Sequence, residues 1–101
     1  MKTNIAQTIL NQLGGSQFVS LVEAEEIVDG GNQLTVWIRE NPKRITFVRI
    51  ILNRKDLYTM EFVGKRKGTY ELISQCKKVK PGQLNDLFEK GTGLLSSIEV
   101  A

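Results

Sequence analysis

The sequence predicts an α+β domain, an antiparallel meander sheet of four to five strands flanked by an N-terminal and a C-terminal helix. Three observations predict it. Apolar residues recur at helical spacing near each end, over residues 4–13 and 80–90. Between them lie β-prone runs at residues 33–39, 45–52, 57–63 and 69–75. The connections between these runs are too short for crossover helices, so consecutive strands pair antiparallel. With 101 residues the chain fits one domain spanning residues 1–101, and 41% hydrophobic residues are enough for a single core.

Taken in order, residues 4–13 place Ile5, Ile9 and Leu13 four apart, with Ala6 and Leu10 beside them. Asn4 is suited to cap that helix, Gln7 occupies the reciprocal capping position, and Gly14-Gly15 ends it. Residues 17–22 are expected to form a first short strand with Phe18 inside. Residues 23–31 form an acidic segment, anchored by Ile27-Val28, that runs into the turn signal Asp29-Gly30-Gly31-Asn32. Over residues 33–39, Leu34, Val36 and Ile38 face one way and Thr35, Trp37 and Arg39 the other. Pro42 sits in the turn at residues 40–43. The run at 45–52 is apolar on both faces and belongs in the middle of the sheet.

After a turn at residues 53–56, residues 57–63 set Tyr58, Met60 and Phe62 against Thr59, Glu61 and Val63. Residues 64–68 read as a basic hairpin loop. In the following run Tyr70 and Leu72 share one face, Glu71 and Ile73 the other. The second helix carries Leu84, Leu87 and Phe88 as its apolar stripe, with Pro81 in its first turn and Gly91-Thr92-Gly93 as its stop. An apolar tail at residues 94–100 either packs on the sheet or joins its edge.

Composition excludes several function classes. The chain has no histidine, which removes the commonest general base and metal ligand. Its one cysteine, Cys76, lies among Lys77, Lys78 and Lys80 and reads as an ordinary thiol. The acids Glu23, Glu25, Glu26 and Asp29 do not follow the calcium-loop pattern, and the glycine pairs do not form a phosphate-cradling motif. No catalytic residue, metal or cofactor is expected, and the chain is read as a protein other than an enzyme. No run approaches the roughly 20 apolar residues of a membrane span. The first residues lack an apolar signal segment, and Cys76 has no partner for an internal disulfide. The expectation is a cytoplasmic protein without membrane association.

Charge is uneven. Residues 1–38 carry one base and four acids, net −3, whereas residues 39–101 carry thirteen bases and seven acids, net +6. Lys65-Arg66-Lys67 is the sharpest basic cluster. Alternate loops of a meander fall at the same end of the sheet. Lys43-Arg44 is therefore expected near Lys65, Arg66 and Lys67, with Arg54-Lys55 opposite. Trp37, on the more polar strand face, is either an exposed anchor or covered by a helix or the tail. No aromatic spacing matches a single-strand RNA-binding sheet motif.

Across most of its length the sequence resembles a group of small uncharacterised proteins carried by bacteriophages, prophages and conjugative elements. The matching parts are Ile5-Ala6, Leu13-Gly14-Gly15, Phe18, Gly31-Asn32 with Leu34, the stretch ITFVRIILNRKDLYTMEF at residues 45–62, Gln83-Leu84, Phe88 and Thr92-Gly93-Leu94. It departs from that group at residues 23–28, where the others carry a small, basic-containing segment. It also has Leu95 where they carry an aromatic residue. The resemblance implies a mobile-element origin and no particular activity.

Two functions are therefore expected. The leading one is a non-catalytic module that binds a host or phage protein, for example as an inhibitor of a host defence nuclease, through Trp37, Glu23, Glu25, Glu26 and Asp29. The alternative is an accessory DNA-binding protein using Lys43, Arg44, Lys65, Arg66 and Lys67. Monomer and dimer both remain open.

Overall fold

The computed structural model describes residues 4–53 and 57–94. In chain order these form helices α1 (Ile5–Leu13) and α2 (Ser16–Val22), then strands β1 (Glu26–Asp29), β2 (Gln33–Trp37), β3 (Phe47–Leu52), β4 (Tyr58–Arg66) and β5 (Thr69–Val79). A 3-10 turn (Pro81–Gln83) leads into helix α3 (Leu84–Thr92). The strands make one antiparallel sheet in sequential order, with β3 at its centre. The architecture is the predicted α+β meander, with five strands. Among the described residues no helix is long and apolar enough to cross a membrane.

Residues 17–22 depart from expectation, forming helix α2 where the sequence predicts a strand. A short apolar run fits either period. Here Phe18 and Val22, four apart on one helical face, are both fully buried. Gly15 (φ +60°) starts the helix and Glu23 (φ +49°) closes it in the left-handed conformation. The acidic segment also differs, because its second half is an edge strand in which Ile27 faces Val36 and Glu26 faces Trp37. The strands β4 and β5 run further than predicted, leaving only Lys67-Gly68 as a turn between Arg66 and its partner Thr69. Both turn residues have positive φ (+50° and +81°), the conformation of a two-residue type I′ hairpin.

The three helices supply apolar side chains to one face of the sheet. Leu34 and Val36 of β2, Val48 and Ile50 of β3, and Tyr58, Met60 and Phe62 of β4 share a core with Ala6, Ile9, Leu13, Phe18, Val22, Leu84 and Phe88. Phe18 and Phe88 meet edge to face at 5.1 Å and join α2 to α3. Two polar contacts fix the helix layer. Asn85 Nδ2 donates to the Leu13 carbonyl at 2.7 Å, and the Tyr58 hydroxyl donates to Gln12 Oε1 at 2.6 Å. Asn4 caps α1 as expected by accepting from the Gln7 amide, but the Gln7 side chain donates to Asn11 instead of reaching back. Of the apolar tail, Leu94 is buried in the core, while residues 95–100 and the turn with Arg54-Lys55 lie outside the described residues.

Gly91 tests this packing. Alanine is the better helix former, by about 1 kcal/mol. A methyl at Gly91, however, falls well inside contact distance of the ring of Phe62, which is itself buried with no room to withdraw. Gly91→Ala is therefore expected to lower stability by about 1–3 kcal/mol in chemical denaturation, against its helix propensity. A stabilised variant would show that the α3–β4 contact is loose.

Candidate functional site

Side chains alternate across a strand, so the residues between the core positions point to the other face. Among the described residues no helix lies on that face. One row across it is Trp37, Phe47, Val63 and Leu72, each opposite the next on the neighbouring strand. The next row is Thr35, Arg49, Glu61 and Gln75.

The first row carries an aromatic cluster. The ring centroids of Trp37 and Phe47 lie 4.7 Å apart, those of Phe47 and Tyr70 5.7 Å, and those of Trp37 and Tyr70 5.9 Å. Phe47 is buried beneath its neighbours, Trp37 is partly buried, and Tyr70 is 51% exposed. Cations flank the rings, with the Arg49 guanidinium 5.5 Å from the Phe47 centroid and Lys65 Nζ 5.8 Å from that of Tyr70. Arg49 Nη1 also pairs with Glu61 Oε1 at 3.1 Å, and Glu61 Oε2 accepts from Gln75 Nε2 at 3.1 Å, which holds the polar row together.

A β-bulge places Tyr70 in this cluster. Phe62 pairs with Ser74 but Val63 pairs with Leu72, so Ile73 is an extra residue on β5. In a regular register Tyr70 and Leu72 would fall opposite Arg66 and Gly64. The inserted residue sets them opposite Lys65 and Val63, on the open face.

A basic cleft lies at the hairpin end of the sheet, on the Gly64 side, opposite the face that carries the cluster. Asn41 shapes the β2–β3 loop. Its Nδ2 donates to the carbonyls of Arg39 (2.9 Å) and Ile45 (2.7 Å), and its Oδ1 accepts from the Ile45 amide (3.0 Å). The loop then turns through Arg44, at φ +58°. It lies so close to β4 that a Cβ on Gly64 would come within 2.8 Å of the Arg44 carbonyl oxygen. Glycine at 64 therefore permits the approach. The result is a cleft of about 110 Å³ lined by Lys43, Arg44, Gly64, Lys65, Arg66 and Ile73. A larger hollow of about 550 Å³ lies on the other side of the same loop, with both acids and bases in its wall.

The structure thus gathers four of the five basic residues singled out in the sequence. Lys67 occupies the tip of the same hairpin without lining the cleft. The acidic residues, by contrast, are dispersed. Glu23 pairs with Arg39 at 2.7 Å, Asp29 accepts from the Gly31 amide at 2.8 Å to hold the β1–β2 turn, and Glu25 lines the larger hollow. Only Glu26 lies opposite Trp37. Sequence reasoning misses Phe47, Tyr70 and Arg49 as parts of a site, because they come from separate strands and only the register unites them.

No family model, curated protein or solved structure matches this chain.

Asn41 organises the loop that carries Lys43 and Arg44. Asn41→Ala leaves the Ile45 amide and two carbonyls without these partners, and is expected to cost about 1–3 kcal/mol in denaturant unfolding. Faster exchange of the Ile45 amide hydrogen should accompany that destabilisation. Unchanged exchange would mean that the loop holds its shape without Asn41.

Proposed function

We propose that the protein is a non-catalytic nucleic-acid-binding module whose primary contact is the basic cleft between the β2–β3 loop and the β4–β5 hairpin. The observation that carries this reading is the convergence of Lys43, Arg44, Lys65 and Arg66, from two loops distant in sequence, around one glycine-floored cleft. Four cationic residues around a small hollow suit a phosphate oxygen. Glu71 pairs with Arg66 at 3.5 Å across exposed side chains, a contact too weak to neutralise the cleft. Phosphate binding of this kind is independent of base sequence and weakens steeply with salt.

A protein partner is the second reading, favoured by the exposure of Tyr70, Leu72 and Val28 on the open face. Two of the four acidic residues expected to share that surface, Glu23 and Asp29, are engaged by Arg39 and the Gly31 amide, which places this reading behind the first.

The test is a titration into DNA at two salt concentrations. Micromolar or tighter binding that falls steeply with salt is expected. Replacing Lys65, Arg66 and Lys67 with glutamine should abolish it, or reduce the logarithmic salt slope by about 0.7–0.9 for each phosphate no longer neutralised. Absence of binding even at low salt would overturn the proposal.

A further inference from the structure

The basic cleft and the aromatic cluster are joined through one residue. Lys65 lines the cleft, and its Nζ stands 5.8 Å from the centroid of the Tyr70 ring on the open face. Lys65 therefore places its cation on the open face beside that ring, at the same hairpin end that carries Lys43, Arg44 and Arg66. We infer that the ligand is a single-stranded nucleic acid, with a phosphate met by Lys65 beside bases stacked on Tyr70 and Trp37, and the strand running on over the hairpin end to the cleft of Lys43, Arg44 and Arg66. This inference rests on the nucleic-acid reading given above and narrows it to one class of strand.

The form of the cluster supports a stacked base. Trp37 and Tyr70 meet at 79°, and Phe47 and Tyr70 at 66°, so Tyr70 is not stacked face to face on either ring. Phe47 is the buried floor, and Tyr70, about half exposed, is the ring that a ligand meets first. Every base has a π-face, so stacking of this kind tolerates any sequence, as the phosphate interaction does. The neighbouring polar row of Thr35, Arg49, Glu61 and Gln75 supplies hydrogen-bonding groups beside the rings, where the edge of a splayed base would lie. A duplex keeps its bases paired and stacked inward and presents only its backbone to such a surface. The aromatic half of the site therefore contributes nothing to a double strand.

The experiment compares short oligothymidylate and oligouridylate strands with a duplex of equal length, using the intact protein. Trp37 is the only tryptophan, so its fluorescence reports directly on the proposed surface. The single strands should bind more tightly than the duplex and quench Trp37. Tyr70→Leu should weaken single-strand binding roughly tenfold, as expected when one base has no ring to stack on, and leave the salt slope unchanged. Tyr70→Phe keeps the ring and should retain wild-type affinity, which separates stacking from any general loosening of the strand. Equal binding of duplex and single strand, with no quenching and no effect of Tyr70→Leu, would overturn the inference and leave the phosphate-binding cleft standing. Absence of binding by all three ligands would overturn both.

Discussion

The structure depends on covering one face of a five-stranded sheet and leaving the other to the sheet itself. A short chain has few helical residues, and α1, α2 and α3 put them on one side, where Phe18 and Phe88 lock the layer. The positions of β2, β3 and β4 that meet this layer are consequently aliphatic or aromatic. On the other side the central strand still presents a large ring, Phe47, and it is buried there without a helix. Trp37 and Tyr70 flank it from β2 and β5. The aromatic cluster is thus the sheet's own cover for its central strand.

This double demand falls on β5. Its bulge at Ile73 turns Tyr70 and Leu72 toward the open face and leaves Ile73 itself on the side of Gly64, partly exposed beside the cleft. A second irregularity sets Lys77 and Lys78 opposite Thr59, with Lys78 at φ +57°. β5 lies at the edge of the sheet, and its long run of backbone groups would template pairing with another chain if it were flat and regular. Two bulges and two lysines make it neither. The same distortion that aims Tyr70 at its neighbours also blunts the edge.

Much of the fold is legible in the sequence because it is written in local periods. The alternation of Leu34 and Val36 with Thr35 and Trp37, the both-sided apolar run that forms β3, and the glycine stops at residues 14 and 93 each act over a few residues. Residues 17–22 mislead because an apolar pair such as Phe18 and Val22 satisfies the strand period and the helical period alike. Only burial against Phe88 decides between them. The acidic segment reads as a patch because sequence shows charge but not partners. Arg39 and the Gly31 amide take up two of its four acids.

The two halves of the candidate site differ in the same way. The gathering of basic residues follows from topology, because in a meander the second and fourth connections return to one end, and Lys43, Arg44, Lys65 and Arg66 sit on or beside those connections. The aromatic half depends on a single inserted residue. Without Ile73 as an extra residue, the same sequence of alternating side chains would carry Tyr70 to the helix side, and Phe47 would be left with one ring fewer over it. Composition and charge are unaffected by that one-residue shift, so they carry no trace of it. Local chemistry in this chain therefore announces where charge gathers, whereas the surface beside it exists only at the level of strand register.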